Sequence, residues 1–164
     1  MIINKNFCMS SFLELSRWRE SIMIKGYTTG VYDLFHIGHL NLLKNAKEHC
    51  DYLIVGISSD KAAQYKNKIP FICQEERMAI VEAIKYVDEV VLQEDLDKVK
   101  AWDKLHYDVL FVGSDWQGSE KWNEYERQLA QKGVKVCYLP YTKSTSSTIL
   151  QKTIKNFNES FSKN

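Results

Sequence analysis

Apolar runs and amphipathic stretches alternate along this chain. Ile24–Thr29 reads as a first strand that runs into a glycine turn at Gly30. Gly38–His49 reads as a helix, with Ile37, Leu40, Leu43 and Ala46 on one side. Tyr52–Ile57 is a near-continuous apolar run, as a strand buried on both faces should be. A polar loop, Ser58–Cys73, follows it. Gln74–Ile84 predicts a helix, Glu89–Leu92 a short strand, and Asp95–His106 another helix. Val109–Gly113 is a buried strand ending in glycine, and Ser119–Lys132 a helix closed by Gly133 as its C-cap. Val134–Leu139 is a fifth strand, and Ser146–Phe157 a final helix.

Strands that alternate with helices predict an α/β fold: a Rossmann-like parallel sheet of about five strands, joined by right-handed crossovers, with helices on both faces. Ligands of such sheets bind outside the carboxyl ends of the strands. The polar segments all follow expected strands. His36-Ile37-Gly38-His39 follows the first and the lysine loop the second. Ser114-Asp115-Trp116 follows the fourth, and Lys143–Thr148 the fifth. Four polar segments therefore converge on one rim.

The tetrapeptide carries the sharpest chemistry. Two histidines three residues apart, with Gly38 before the second, can aim two imidazoles at one phosphate. The glycine lets a ligand approach the backbone, and the following helix offers free N–H groups and partial positive charge to the same anion. Attack at the α-phosphate of a nucleotide suits that arrangement. Lys66 and Lys68 in the loop after the second strand are either two cations for phosphates, Lys66 for an acceptor phosphate and Lys68 for the reacting group, or simply part of a solvated charged loop. Ser146, Ser147 and Thr148 add hydroxyls to the start of the final helix, a site for the distal phosphates or an ordinary N-cap. Asp33 orients a backbone or histidine group, or merely caps a turn.

Composition narrows the classes. The 164 residues suit one domain, 45% apolar and 26% charged, with a net charge of +1 that gives no reason to expect a nucleic-acid partner. No stretch approaches the roughly 20 apolar residues of a membrane span. Cys8, Cys50, Cys73 and Cys137 are scattered without C-x-x-C spacing, which favours reduced thiols in the cytoplasm over a zinc site. Residues 1–23 form an N-terminal extension, 24–157 the domain and 158–164 a tail. Phe12, Leu15, Trp18 and Ile22 fit an amphipathic helix over Ser10–Ile22. That stretch is either an accessory helix or sequence upstream of a start at Met23.

Gly30-Val31-Tyr32-Asp33-Leu34-Phe35-His36-Ile37-Gly38-His39 resembles the signature of the HxGH nucleotidyltransferase superfamily. Lys85-Tyr86-Val87-Asp88-Glu89-Val90 and Ser146-Ser147-Thr148 resemble two further segments of its cytidylyltransferase family. The agreement in order and spacing runs from about Ile24 to Phe157 and is greatest with the bacterial glycerol-3-phosphate cytidylyltransferase type. The resemblance implies transfer of CMP from CTP, with Mg²⁺, to a small phosphorylated alcohol. Glycerol 3-phosphate is the first candidate, giving CDP-glycerol and pyrophosphate in a cytoplasmic homodimer that feeds teichoic acid or capsule-like polymers. Other phospho-alcohols or sugar phosphates, or ATP in place of CTP, are the alternatives, and a non-catalytic nucleotide-binding module is the alternative of another class.

In residues, the resemblance implies that His36 and His39 contact the α- and β-phosphates. Gly30, Val31, Tyr32, Gly38, Asp115, Trp116, Thr142, Ser146, Ser147 and Thr148 would line the nucleotide, with Asp115 and Trp116 beside the base. Arg77 matches a family arginine and would bind the acceptor phosphate or pair with Glu75 or Asp60. Three departures accompany these matches. Lys85 replaces an arginine, Val31 a threonine, and Tyr141-Thr142-Lys143-Ser144 an Arg-Thr-x-Gly segment, with Lys143 a nearby substitute cation. Lys85 and Asp88 are expected in ion pairs across a subunit contact.

Overall fold

The computed structural model describes residues 23–65, 69–142 and 145–161, with side chains as far as 157. The extension helix, Lys66, Lys68 and Lys143 lie outside the described residues. Five parallel strands form one sheet in the order β3-β2-β1-β4-β5: β1 Lys25–Gly30, β2 Tyr52–Ser58, β3 Glu89–Gln93, β4 Val109–Gly113 and β5 Lys135–Leu139. The helices are α1 Ile37–Lys47, α2 Asp60–Gln64, α3 Gln74–Glu82, α4 Lys98–Leu105, α5 Glu120–Ala130 and α6 Ser147–Phe161. The expected parallel α/β sheet is present. No helix among the described residues is long and apolar enough to cross a membrane.

Strand β2 shows the two layers. Successive strand side chains point to opposite faces. Leu53, Val55 and Ile57 pack with Leu43 and Ala46 of α1 and Val81 of α3 on one face. Ile54 faces the other side, where Leu110 and Val112 of β4 pack with Trp122 and Leu129 of α5. The strand order reverses between β1 and β4, which pair in parallel, with β2 and β3 added outward on one side and β5 on the other. That reversal opens a crevice at the carboxyl ends of these two strands.

Element ends differ from the sequence expectation wherever a side chain decides the cap. The loop expected over Ser58–Cys73 contains α2, because Ser59 Oγ accepts from Ala62 N at 3.0 Å and starts a turn. α4 begins only at Lys98, since the Asp97 carboxylate accepts from Val99 N and Lys100 N. It stops at His106, which adopts the left-handed conformation with φ 50°. Gly133, with φ +79°, ends α5 as expected: Val134 N donates to Leu129 O and Gly133 N to Ala130 O. Val134 is spent on that cap, so β5 starts one residue later than expected. The final helix runs on to Phe161.

Candidate active site

The site grows from the loop between β1 and α1. This loop is tight: Tyr32 and Leu34 have positive φ angles of 56° and 49°, on either side of Asp33. Left-handed backbone in residues other than glycine costs about 1–3 kcal/mol each and persists only where the surroundings fix it. Asp33 is 3% exposed, and its carboxylate accepts from Phe71 N at 3.1 Å, Ile72 N at 3.0 Å and Gln151 Nε2 at 2.8 Å. Asp33 thus ties its own loop to two other segments, the 71–72 turn and α6, rather than serving as a simple turn cap.

His36 follows as the N-cap of α1. Its Nδ1 accepts from Gly38 N at 3.0 Å, which assigns the proton of the neutral ring to Nε2. Partial burial holds its pKa below the ordinary histidine value and favours that neutral form. Nε2 lies 3.4 Å from Ser147 Oγ, and this hydroxyl also donates to Asp33 O at 2.8 Å. His39, one turn on, stacks on His36 with ring centroids 3.9 Å apart and 23° between planes. Tyr32 and Phe35 flank its other sides at 5.1 and 5.5 Å. Two imidazoles therefore share one orientation at the start of a helix.

The final helix supplies the facing wall. Ser146 Oγ accepts from Ile149 N at 3.3 Å and so caps α6, while Ser147 reaches the histidine. Thr148 is exposed on the first turn. Thr142 Oγ1 accepts from Asn41 Nδ2 at 3.1 Å, tying the end of β5 to α1. A Cβ built on Gly38 would lie 3.5 Å from Thr145 O, and only 2.9 Å from His36 Cε1. Any side chain at this position would press on the His36 ring, two residues earlier.

Other expected residues are placed differently. Tyr32 is 3% exposed: its ring packs into the core, where burial raises its pKa, and lies against the His39 ring from that side. Val31 O accepts from Arg77 Nη1, and Gly30 lies over the Tyr32 ring. Arg77, expected on an acceptor phosphate, is instead 0% exposed. Its Nε donates to Ile72 O at 3.0 Å and its Nη2 to Asp60 Oδ1 at 2.6 Å. It braces the loop from beneath, with Asp60 the partner foreseen as its alternative.

Asp115 and Trp116 form a short 3₁₀ turn, Ser114–Trp116, at the end of β4, on the same rim as the histidines and exposed. The Trp116 ring leans towards Trp122 at 6.4 Å, and Tyr141 lies near Gly113 beside them. Within the chain, Asp88 forms an ion pair with Lys47. Lys85 sits 5.1 Å over the Tyr86 ring, and Asp88 accepts from Lys47 Nζ at 2.6 Å and Leu53 N at 2.7 Å within the chain.

Three polar residues of the rim escaped the sequence reading. Asn41 and Gln151 are described above. Gln93, 5% exposed at the end of β3, accepts from Thr29 and Ser58 hydroxyls at the ends of β1 and β2. Gln151 had a readable signal: it lies four residues after Ser147 and so on the same helix face. Gln93 and Asn41 had none, since their partners lie on other elements.

Comparison with known proteins agrees with this geometry. The cytidylyltransferase-like family profile matches residues 27–156. The glycerol-3-phosphate cytidylyltransferase of Bacillus subtilis (strain 168) is 37% identical over 134 residues, 80% of this chain and 98% of that protein. An FAD synthase of Ferroglobus placidus is 36% identical over 113 residues, 69% of this chain and 72% of that protein. Among solved structures, the lipopolysaccharide core biosynthesis protein from Thermoplasma volcanium GSS1 superposes with a TM-score of 0.64 at 29% identity, covering 75% of this chain and 99% of that one. A stacked histidine pair at a helix start, on the switch-point rim of a parallel sheet, thus sits in a chain that belongs to the cytidylyltransferase-like family of nucleotidyltransferases.

Proposed function

We propose that the chain transfers CMP from CTP to a small phosphorylated alcohol, glycerol 3-phosphate first, releasing pyrophosphate and forming CDP-glycerol. The observation that carries this reading is the facing of His36 Nε2 and the hydroxyl start of α6 across 3.4 Å. An oxygen of the acceptor phosphate attacks the α-phosphorus, the bond to the β-phosphate oxygen breaks, and pyrophosphate leaves. An acceptor phosphate is already ionised near neutral pH, so no protein nucleophile or general base is needed. The work left for the protein is alignment and stabilisation of the charge that builds on phosphate oxygens.

His36 supports this as a neutral donor through Nε2–H, and His39 as its stacked companion. Ser146, Ser147 and Thr148, with the free N–H groups of α6, suit the β- and γ-phosphates. Asp115 and Trp116 suit the base, by accepting from its amino group and covering its face. Lys66 and Lys68 complete the reading as cations for the acceptor and the reacting phosphates. Mg²⁺ enters with the triphosphate: among the described residues no cluster of three His, Cys, Asp or Glu forms a cage, so phosphate oxygens and water would hold most of its shell. When bound, it offsets phosphate charge. The resemblance supports a homodimer, which sedimentation of the purified protein tests.

Glycerol 3-phosphate is preferred as acceptor because the Bacillus subtilis relative aligns over nearly its whole length. Adenylyl transfer from ATP is the second reading, favoured by the FAD synthases among the relatives. Pyrophosphate release decides between them. CTP with glycerol 3-phosphate and Mg²⁺ should give turnover and CDP-glycerol, while ATP with a flavin phosphate should not. The reverse pattern would overturn the acceptor and the base, and CTP binding without turnover on any phospho-alcohol would make the chain a binding module.

A further inference from the structure

The sheet splits where its order reverses. The ladder between β1 and β4 ends at Thr28–Phe111, yet β1 stays paired to β2 as far as Gly30, and β4 to β5 as far as Gly113. Phe111 packs with Leu43 of α1. Gly113, two residues on, therefore opens to the same side of the sheet, the side of the histidine pair. A Cβ built on Gly113 would collide with Asp115 Oδ1 and lie 3.9 Å from Tyr141 Cδ2. Glycine thus leaves room for the Asp115 carboxylate to fold back over the end of β4, with the Tyr141 ring beside it. Neither side chain has a hydrogen-bond, ion-pair or ring partner among the described residues, and Tyr141 is 48% exposed. Trp116 leans the other way, towards Trp122 in the cluster on the opposite face. The Tyr141 backbone is nonetheless fixed from both sides. Leu139 pairs with Gly113, Pro140 has a locked φ, and Thr142 is tied to Asn41 of α1.

We propose that Gly113, Asp115 and Tyr141 form the base-selecting corner of the site, and that Tyr141 is a specificity-determining residue. This rests on the reading of the site as a nucleotide site. The Tyr141 ring covers one face of the base, held ready by its fixed backbone. The Asp115 carboxylate accepts from the exocyclic amino group. Gly113 is a positioning residue: it acts by leaving the carboxylate its place. Cytosine, with its amino group, is accepted. Uracil carries a carbonyl oxygen at that edge, so it sets one acceptor against another and is refused. Where the resemblance expects an arginine, Tyr141 supplies a face and no charge. Its contribution therefore belongs to the base and not to the phosphates.

Calorimetry on the full-length chain tests each part without turnover. The probes are CTP, UTP and ATP analogues with a methylene bridge between the α- and β-phosphorus, and inorganic tripolyphosphate as a ligand without a base. The wild type should prefer the CTP analogue to the UTP analogue by about tenfold or more, as a hydrogen bond to a charged group provides. Tyr141→Ala should weaken the CTP analogue about tenfold, within the range of one base–aromatic stack, and leave tripolyphosphate unchanged. Tyr141→Phe should bind as the wild type does. Gly113→Ala and Asp115→Asn should each bring the preference for CTP over UTP close to one. Asp115 is exposed, so its variant keeps the test clear if Gly113→Ala lowers the melting temperature. Unchanged binding by Tyr141→Ala, or tripolyphosphate weakened as much as the CTP analogue, overturns the stacking role. Equal binding of CTP and UTP analogues by the wild type, or a preference that survives in Asp115→Asn, overturns the carboxylate's role. Both results leave the proposed reaction standing. A wild type that prefers the ATP analogue overturns CTP as the donor and leaves the corner standing, because adenine also carries an amino group. A wild type that binds none of the three analogues sinks the nucleotide reading and the corner together.

Discussion

Replacing Gly38 by alanine would test the histidine pair with a single methyl group. The new Cβ would lie 2.9 Å from His36 Cε1 and 3.0 Å from Nδ1. Carbon atoms in contact prefer about 3.5–4.0 Å, so the ring must retreat by about 0.5–1 Å. It would lose the cap bond from Gly38 N, its 3.4 Å approach to Ser147 Oγ and its 3.9 Å stack on His39. The fold should barely notice. Alanine in place of a helical glycine gains about 0.5–1 kcal/mol, and losing the cap bond costs about 1 kcal/mol. Chemistry should notice far more, since a misplacement of about 1 Å costs about 10²-fold in rate. Pyrophosphate release under saturating CTP and glycerol 3-phosphate should therefore show kcat down about a hundredfold, with urea unfolding within about 1 kcal/mol of wild type. Near-wild-type kcat with unchanged stability would refute the reasoning, because the His36 ring would then be free to move without consequence. A stability loss above about 3 kcal/mol would refute it differently, by showing that the ring cannot retreat at all.

His36 should titrate below its ordinary value of 6.5 in the ligand-free protein, because burial disfavours its charged form. The unfolded chain then takes up a proton that the folded one refuses, so the folded state is least penalised above pH 6.5 and loses stability as the pH falls below it; an NMR midpoint at or above 6.5 would contradict this. Arg77→Met should cost about 2–4 kcal/mol in urea unfolding, since it strips partners from Val31 O, Ile72 O and Asp60. An unchanged melting curve with a raised KM for glycerol 3-phosphate would return Arg77 to the acceptor phosphate. Gly133→Ala forces a side chain to φ +79° and should cost about 1–2 kcal/mol of stability while leaving kcat untouched, the opposite pattern to Gly38→Ala.

The sheet was legible chiefly through β2 and β4, which are buried on both faces and so carry short apolar runs. The order of the strands could not be read from those runs, but the alternation with helices restricted it to a doubly wound arrangement. Helix ends were less legible because they hang on one oxygen each. Ser59 starts a helix inside an expected loop, and Asp97 delays another. Neither residue differs in kind from the serines and aspartates that cap nothing elsewhere in the chain.

The histidine pair was legible for the same reason that it works: three residues of helix set both rings on one side, so the geometry is local. The groups that hold it in place are not local. Gln151 lies 118 residues from Asp33 in sequence, Ser147 lies 111 from His36, and Asn41 lies 101 from Thr142. Arg77 shows how this misleads. A cation between polar segments on the ligand rim looks like a phosphate ligand, yet α3 packs with Val81 against β2, and Arg77, four residues earlier on the same face, is carried inward too. There it meets two carbonyls and Asp60 before it can meet solvent. A buried guanidinium is tolerable only when its donors are met by fixed acceptors. The strained β1–α1 loop provides one of them in Val31 O, and the turn that Asp33 anchors provides another in Ile72 O. The guanidinium missing from the surface is thus bonded to the backbone of the histidine loop.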